Sequence, residues 1–192
     1  MLRLGIIRHG TTEWNKAGRA QGSSDIPLDQ EGLAEAIKLA TRLSGEEWNI
    51  IYSSPLKRAS QTAETIKKNL KHQEIYFDKR LQEVGGGLIE GTTEEERISK
   101  WGVNWREVEL GVEQPDSVYN RGISFIEEIK GKHPSDNVLV VSHGAFIRHM
   151  LRRLVPQQSL EDKLKNTSIT VITYKENSWD IELYNCTRHL ES

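Results

Sequence analysis

Two short apolar runs, each followed closely by a histidine and then a glycine, constrain the fold of this chain most. The runs are Leu2–Ile7, ahead of His9, and Asn137–Val141, ahead of His143. Asn49–Tyr52 is a third run of the same kind. Runs this short and this continuously apolar predict strands buried on both faces, as in parallel sheets. We therefore expect a parallel sheet, with both histidines at the edge formed by the strands' carboxyl ends.

Helical periodicity fills the segments between these runs. Two segments place their apolar residues on one helical face. These residues are Leu33, Ala36, Ile37, Ala40 and Leu43 in the first segment, and Leu56, Ala59, Ala63, Ile66 and Leu70 in the second. Ser54 is predicted to cap the second helix, with Pro55 as its first residue. Another helix is predicted to begin near Asp116 or Ser117 and to end at Gly131.

A hairpin is predicted near the end of the chain, because Ser168–Tyr174 and Trp179–Tyr184 flank four polar residues. Strands that alternate with helices predict an α/β fold, here a three-layer α/β/α sandwich around a mostly parallel sheet with an antiparallel edge strand from the hairpin. No linker or repeat divides residues 1–192, so we expect a single domain. Residues from about 90 to 115 form a candidate lid.

Composition narrows the class of partner. The 192 residues include 26 Lys and Arg against 28 Asp and Glu, a net charge of −2, which disfavours nucleic acid and anionic membranes as partners. The mean hydropathy is −0.60, and no apolar stretch reaches the roughly 18 residues of a membrane span. The single cysteine, Cys186, excludes an internal disulfide and a cysteine-rich zinc cluster. These features predict a cytoplasmic protein; they leave its oligomeric state open.

An anion site is predicted at the sheet edge that carries the two histidines. Ligands of open α/β sheets bind beyond the carboxyl ends of the strands, where His9 and His143 are expected. A helix predicted over Gly144–Leu154 could turn its N-terminal amides toward an anion. Arg58 is expected in the first turn of a helix, where the dipole disfavours a cation unless it shares an anion. Each feature alone also fits a structural role, but their coincidence favours a site.

Five motifs, distributed over nearly the whole chain, add to the evidence for an anion site. They are Arg8-His9-Gly10-Thr11-Thr12-Glu13-Trp14-Asn15 with Gly18-Arg19-Ala20-Gln21-Gly22 and Asp25-Ile26-Pro27-Leu28, then the Ser53–Ala63 segment, Leu81-Gln82-Glu83, Glu90-Gly91 and Val141-Ser142-His143-Gly144. In these motifs the chain resembles the histidine phosphatase superfamily, in the metal-independent branch that includes the phosphoglycerate mutase-like phosphatases.

The resemblance implies a metal-independent phosphomonoester hydrolase that needs no cofactor and acts on a small phosphorylated metabolite through a phosphohistidine intermediate. His9 would be the nucleophile and Glu83 the proton donor. Arg8, Arg58 and His143 would surround the phosphate, which suits a dianion that needs positive charge at its oxygens and an acid at the leaving oxygen. The residues expected on the substrate side are Asn15, Gln21, Gly22 and Gly144.

The chain departs from the family pattern in two places. Thr11 stands where the family commonly has Glu or Gln, so its contact with the site is open. Residues 85–87 are glycines in a region where relatives commonly carry aromatic residues. Because glycines remove side-chain walls, we predict a wider pocket and a broad substrate range. The segment after Glu83 also lacks the Arg and Tyr that true mutases have there, which favours hydrolysis over return of the phosphoryl group.

Three alternatives remain at this point. The first is a phosphoglycerate mutase, and the second is a phosphate- or phosphopeptide-binding module with little activity. The third is a metal site in which His9, His143 and Glu83 form a two-His, one-carboxylate triad. Arg8 and Arg58 argue against the third, since they place cations beside a cation.

The remaining histidines and two tryptophans are interpreted structurally. His72 and His133 are predicted to be solvated, and His149 and His189 to pack at a helix surface and in the tail. Trp101 and Trp105 are predicted to pack under a helical segment, Thr93–Trp105.

Overall fold

One sheet lies at the centre of the computed structural model, which describes residues 1–70, 74–160 and 163–191. Its six strands in these ranges are β1 (Leu2–Arg8), β2 (Ile50–Ser53), β3 (Ile75–Phe77), β4 (Asn137–Ser142), β5 (Ile169–Lys175) and β6 (Ser178–Cys186). They lie in the order β3-β2-β4-β1-β5-β6. The three predicted apolar runs thus form β2, β4 and β1, which are direct neighbours in the sheet.

Strand directions follow the prediction of a mostly parallel sheet. β4 pairs in parallel with both β1 and β2, and β2 pairs in parallel with β3. β5 is antiparallel to β1 and β6, which confirms the hairpin. Its turn residues, Glu176 and Asn177, both have positive φ, at 52° and 62°, as a type I′ turn requires. β3 was not predicted, because three residues with half-exposed Tyr76 and Phe77 carry no readable pattern.

Helices cover both faces of the sheet. They are α1 (Glu13–Lys16), α2 (Gln30–Leu43), α3 (Lys57–Asn69), α4 (Glu94–Trp101), α5 (Pro115–Lys132) and α6 (Gly144–Leu154). In β1, Leu4 and Ile6 pack with α5 and α6, whereas Ile7 packs on the opposite face with α2 and α3. Successive strand residues point to opposite faces, so one apolar strand supports both cores. The three-layer sandwich is the arrangement predicted.

The start of α3 differs from the prediction. The helix begins at Lys57, its N-cap position is Leu56, and no side chain caps it. Ser54 therefore does not act as the cap, and Pro55 is not the first helical residue. The Ser54 hydroxyl instead hydrogen-bonds His143 at 2.7 Å. A serine at a strand end can serve a neighbouring strand's loop as well as its own helix, and sequence alone does not distinguish the two.

The buried face of α2 was also predicted only in part. Ala36, Ala40 and Leu43 are buried as expected, but Leu33 and Ile37 are 40% and 56% exposed. Leu39 and Gly32 complete the buried face instead. The buried stripe is therefore rotated from the one predicted, because Gly32 contributes a close backbone contact and no apolar signal.

Other local predictions had mixed outcomes. α4 ends at Trp101, so Trp105 is not helical as predicted but lies in a separate single turn, where its side chain is buried. His133 is not solvated, since its ring hydrogen-bonds Tyr52 at 3.0 Å and Asp136 at 2.9 Å. His189 is buried, as predicted for tail packing. His72 lies outside the described residues.

None of the described helices combines the length and the apolar composition that crossing a bilayer requires.

Candidate active site

His9 and His143 meet because their strands are adjacent and parallel. The last pair in the register of β1 and β4 joins Arg8 to Ser142, so the two histidines follow side by side at the carboxyl edge. Both side chains are buried, and their ring centroids lie 5.3 Å apart. The prediction that both histidines lie at one edge of the sheet is therefore confirmed.

The ring of His9 has a defined tautomer. Its Nδ1 lies 2.6 Å from the Gly10 carbonyl oxygen, which can only accept, so Nδ1 carries the hydrogen and Nε2 is unprotonated. Burial lowers the pKa of His9 well below its ordinary value, and the charges of Arg8 and Arg58 lower it further. His9 therefore presents a neutral imidazole whose free nitrogen is Nε2.

The backbone of His9 is held on both sides. Its amide donates to the Ser142 carbonyl at 3.0 Å. Its carbonyl accepts from the Thr167 amide at 3.2 Å and from Asn166 Nδ2 at 3.1 Å. Asn166 and Thr167 could not be predicted as partners of His9, because they precede β5 and lie far from His9 along the chain.

His143 is oriented from the opposite side. Its Nε2 lies 2.7 Å from Ser54 Oγ. The Ser54 hydroxyl, which also accepts from the Leu56 amide at 3.3 Å, can donate its single hydrogen to Nε2, and in that arrangement the ring hydrogen lies on Nδ1. That Nδ1 is buried and has no hydrogen-bond partner among the described residues. Burial first, and then Arg58, lower the pKa of His143 well below its ordinary value.

Arg58 is fully buried in the first turn of α3, where the prediction placed it. Its Nη1 donates to the Ser24 carbonyl at 2.6 Å and its Nη2 to the Gly22 carbonyl at 2.8 Å. Its Nε has no partner in the described ranges. Burial lowers the pKa of Arg58 to about 10. A guanidinium buried to this degree remains charged near neutral pH.

Arg8, a partly buried residue at the end of β1, brings the second guanidinium to the site. Its Nη1 donates to the Leu164 carbonyl, while its Nε has no partner within the described parts of the chain. A Cβ on Gly144 would lie 3.1 Å from this Nε, so glycine allows the guanidinium to approach the start of α6. Burial lowers the pKa of Arg8, and the nearby carboxylates of Glu83 and Glu35 oppose that shift.

Three buried donors around His9 thus have no hydrogen-bond partner in the parts of the chain that the structure describes: Arg8 Nε, Arg58 Nε and His143 Nδ1. An unsatisfied buried donor costs about 1–3 kcal/mol, and more when it is charged. Native proteins keep few such groups without a reason. Two guanidinium groups and one imidazole N–H beside a neutral histidine form a site for an anion.

The carboxylate of Glu83 binds amides in the first turn of α6. Its Oε1 accepts from the Val84 amide at 2.8 Å and the Phe146 amide at 2.9 Å, and its Oε2 accepts from the Ala145 amide at 3.2 Å. The expectation that these helix amides face a bound anion is therefore corrected, because they bind this carboxylate. Among the described residues, His9, His143 and Glu83 do not form a group that could hold a metal ion.

The predicted substrate-side residues lie next to these groups. The Thr12 hydroxyl lies 3.1 Å from Asn15 Oδ1 and 2.9 Å from Gln21 Oε1. The Thr12 amide also donates to Asn15 Oδ1 at 3.1 Å, which identifies that atom as the oxygen. Gly22 supplies its carbonyl to Arg58. The amide oxygens of Asn15 and Gln21 thus bind within the protein.

Thr11, the first departure from the family pattern, is bonded to α2. Its amide donates to Glu35 Oε2 at 2.9 Å and its hydroxyl to Glu35 Oε1 at 3.0 Å. Glu35 also lies near Arg8, whose charged form it favours. The side chain of Thr11 therefore anchors the loop after β1.

Glu90 has a role that the sequence did not reveal, although it belongs to one of the five motifs. Its carboxylate accepts from the Ser23 amide at 2.7 Å, the Ser24 hydroxyl at 2.6 Å and the Gly86 amide at 3.0 Å. Burial would raise the pKa of Glu90, but these hydrogen bonds hold it below its ordinary value. Glu90 thus joins the glycine loop to the loop whose carbonyls hold Arg58.

Comparisons with known proteins agree with this geometry. Residues 4–187 match the model of the histidine phosphatase superfamily (branch 1). The chain is 34% identical to a metal-independent phosphoserine phosphatase of Arabidopsis thaliana, over 97% of this chain and 82% of the relative. Bacillus stearothermophilus YhfR matches with a TM-score of 0.90 and 27% identity, covering 99% of this chain and 100% of the other.

A third relative is a phosphoserine phosphatase mutant from Entamoeba histolytica, solved in complex with phosphoserine. It matches with a TM-score of 0.81 and 28% identity, over 99% of this chain and 100% of the other. With a family model that spans nearly all residues and a fold shared over the full chain, this protein belongs to branch 1 of the histidine phosphatase superfamily.

Proposed function

We propose that this protein is a metal-independent phosphomonoester hydrolase that transfers the phosphoryl group first to His9 and then to water. One observation carries the proposal. The neutral His9, with Nε2 unprotonated, lies among buried donors of Arg8, Arg58 and His143 that have no partner in the described residues. A phosphate dianion would satisfy all three donors beside a nucleophile.

In the first step, His9 Nε2 attacks phosphorus and the bond to the leaving oxygen breaks. Arg8, Arg58 and His143 donate to the non-bridging oxygens, where positive charge and hydrogen bonds stabilise the transferring group. Glu83 in its acid form gives its proton to the leaving oxygen, so the product departs as an alcohol. We expect the side-chain amide nitrogens of Asn15 and Gln21, whose oxygens are bound by Thr12, to donate to the substrate.

In the second step, water attacks the phosphorus of phosphohistidine. The carboxylate of Glu83 accepts a proton from that water, the bond between phosphorus and Nε2 breaks, and inorganic phosphate leaves. One carboxylate thus serves as acid and then as base, and the enzyme returns to its starting state.

Substrates are proposed to be small phosphorylated metabolites, with a broad range of alcohols. A cavity of about 440 Å³ is lined by Val84, by Val108 and Leu110 of the candidate lid, and by His149 of α6. Charged side chains, among them Arg106, Glu107 and Glu109, share these walls with the apolar ones. The proposed breadth therefore rests on the phosphoryl group, which every monoester offers to the charged donors of the site. Because one relative is solved with phosphoserine, phosphoserine is a specific candidate among them. The reaction is proposed to take place in the cytoplasm.

The mutase and binding-module alternatives are weaker. Val84, Gly85 and Gly86 follow Glu83 in place of the Arg and Tyr of true mutases. The nucleophile and the acid are both present, which a binding module does not need.

A panel of phosphoserine, phosphoglycerates, sugar phosphates and nucleotides, assayed with and without a chelator, tests the proposal. We expect several esters to be hydrolysed, with kcat/KM values within about two orders of magnitude, and no effect of the chelator. Efficient interconversion of phosphoglycerates would support the mutase instead. Activity lost to the chelator and restored by a divalent metal would support the metal triad.

A further inference from the structure

Arg121 of α5 is the centre of a hydrogen-bond network that holds the backbone around Glu83. Arg121 Nε and Nη2 donate to the two carboxylate oxygens of Glu113 at 2.8 and 2.9 Å. Its Nη1 donates to the carbonyls of Arg80 and Gln82 at 2.7 and 2.8 Å. Its Nη2 also donates to the carbonyl of Glu83 at 3.1 Å. All five N–H donors of this guanidinium are therefore used.

Glu113 extends the network past Glu83. Its Oε2 accepts from the Gly85 amide at 3.0 Å, and its own amide donates to the Gly85 carbonyl at 2.8 Å. Arg121 thus holds the backbone at Glu83 and before it, and Glu113 holds the backbone at Gly85, two residues after Glu83. The hydrogen bond from Arg121 holds the pKa of Glu113 below its ordinary value, so the pair is charged.

Arg121 also reaches the other side of the carboxylate. Its guanidinium lies over the Phe146 ring, 4.8 Å from the centroid, and the Phe146 amide donates to Glu83 Oε1 at 2.9 Å. One arginine thus contacts both the chain segment that carries Glu83 and the helix turn that receives its carboxylate.

We propose that Arg121 and Glu113 are positioning residues that hold the Glu83 carboxyl at the leaving oxygen of the substrate. The inference rests on the proposed role of Glu83 as acid. Among the described residues, the hydrogen bonds of Arg121 and Glu113 go to the segment around Glu83 and not to the phosphate site. The charge of Arg121 is the smallest of the named causes that lower the pKa of His143, so we expect the main effect of the pair to reach the reaction through Glu83. A general acid acts only within hydrogen-bond reach of the leaving oxygen, and a misplacement of about 1 Å can cost about a hundredfold in rate.

The glycines make such a support necessary. One residue, Val84, separates Glu83 from the three glycines at 85–87, and glycine restricts the backbone least of all residues. Without external hydrogen bonds this stretch would not hold a side chain in one place. The planar fork of an arginine can bind three carbonyls and a carboxylate at once, which a lysine cannot do.

The experiment compares Arg121→Lys, Glu113→Gln and Glu83→Gln on two substrates. An alkyl phosphate needs an acid, whereas p-nitrophenyl phosphate has a stable leaving group and needs one little. We expect each variant to lose about tenfold to a hundredfold in the single-turnover rate of alcohol release from the alkyl phosphate, and to lose much less in that of p-nitrophenol release. Single turnovers isolate the first step, because the water step, in which Glu83 is the base, is the same for both substrates. KM should change little, because the phosphate site is intact.

Arg80→Lys is the matched control. Arg80 lies on the same segment and its side chain binds Asp78 and Glu128; the carbonyl that Arg121 binds belongs to the backbone and is kept in the variant. This variant should keep the wild-type ratio of the two rates. Thermal unfolding of each variant shows whether it is folded, and Glu113→Gln, which keeps the side-chain volume, serves if Arg121→Lys does not fold.

A double variant separates positioning from general destabilisation. If Arg121 acts through Glu83, adding Arg121→Lys to Glu83→Gln should cause almost no further loss on the alkyl phosphate. Additive losses, or equal losses of the single variants on both substrates, would overturn the inference while Glu83→Gln still discriminates. If Glu83→Gln itself loses equally on both substrates, the proposed acid is wrong and the inference falls with it.

Discussion

The two histidines of the site present different ring nitrogens to the same space. His9 Nδ1 binds the Gly10 carbonyl, which leaves Nε2. His143 Nε2 binds Ser54, which leaves Nδ1. The motifs predicted which histidines meet, since both follow strands of one sheet. The tautomers depend on partners such as Ser54, which the sequence had suggested as a helix cap, and so could not be predicted.

At the residue scale, replacement of Arg58 by lysine tests the need for a guanidinium. The Nη groups of Arg58 donate to two carbonyls, while its Nε has no hydrogen-bond partner among the described residues. Lysine cannot supply both functions. Because a hydrogen bond to a charged group contributes about 1.5–3 kcal/mol, we expect Arg58→Lys to lower kcat/KM at least about tenfold. Steady-state kinetics on p-nitrophenyl phosphate measure this.

Arg80→Lys serves again as the control, because its partners lie outside the site. Activity of Arg58→Lys equal to that of Arg80→Lys would contradict the assignment of Arg58 to the phosphate.

The glycine loop is the element that the sequence predicted least well. Its glycines suggested a missing wall, but Glu90 fills part of that space. A Cβ on Gly86 would lie 2.7 Å from Glu90 Cγ, whereas one on Gly85 would meet Glu113 at an ordinary 3.5 Å. Such a contact between residues four apart depends on the loop's path, which no periodic pattern encodes.

This difference predicts unequal effects of two alanine substitutions. Gly86→Ala should displace Glu90 and with it Ser23 and Ser24, whose loop holds Arg58. We expect its KM for small phosphate esters to rise and its kcat to fall. Gly85→Ala, which meets no close contact, should stay near wild type. Measurement of kcat and KM for both variants tests this prediction. Equal effects of the two substitutions would contradict the role assigned to Glu90.

Other elements show why periodicity predicts some features and not others. α6 was predicted to the residue, because a histidine-glycine turn marks its start and Val155 follows the last apolar turn. The start of α3 was predicted two residues too early, because Ser54 binds another strand's loop. Long-range hydrogen bonds of this kind leave no local signal in the sequence.

On the scale of the whole molecule, the fold brings cations together in a chain of nearly balanced charge. The net charge is −2, yet Arg8, Arg58 and two histidines share one sheet edge. The sequence predicted the family, the fold class and a phosphatase, and the comparisons confirm all three. The catalytic and substrate-binding roles of individual residues, and the single-domain organisation, stay predictions.

Burial of these histidines predicts a loss of stability in mild acid. The pKa values of His9 and His143 are well below 6.5 in the folded protein, while the unfolded chain binds protons near pH 6.5. Protons therefore favour the unfolded state, and the stabilisation present above pH 6.5 is lost as the pH falls. His189, whose pKa burial lowers to about 4, adds to the effect.

Urea unfolding between pH 7.5 and 5 measures this dependence. Each histidine should contribute a slope of at most about 1.4 kcal/mol per pH unit below pH 6.5. His143→Gln should show a shallower slope than wild type. A free energy of unfolding that stays constant over this range would contradict the buried, neutral state of the histidines.

The central claim is that His9 carries the phosphoryl group, and rapid quenching of the enzyme during turnover tests it most directly. Wild type should yield a phosphoprotein that is labile in acid and stable in alkali, with the phosphoryl group on His9. His9→Ala should keep the fold, as circular dichroism can check, and should yield neither phosphoprotein nor turnover. Substantial turnover by His9→Ala, or a phosphoryl group on another residue, would contradict the account.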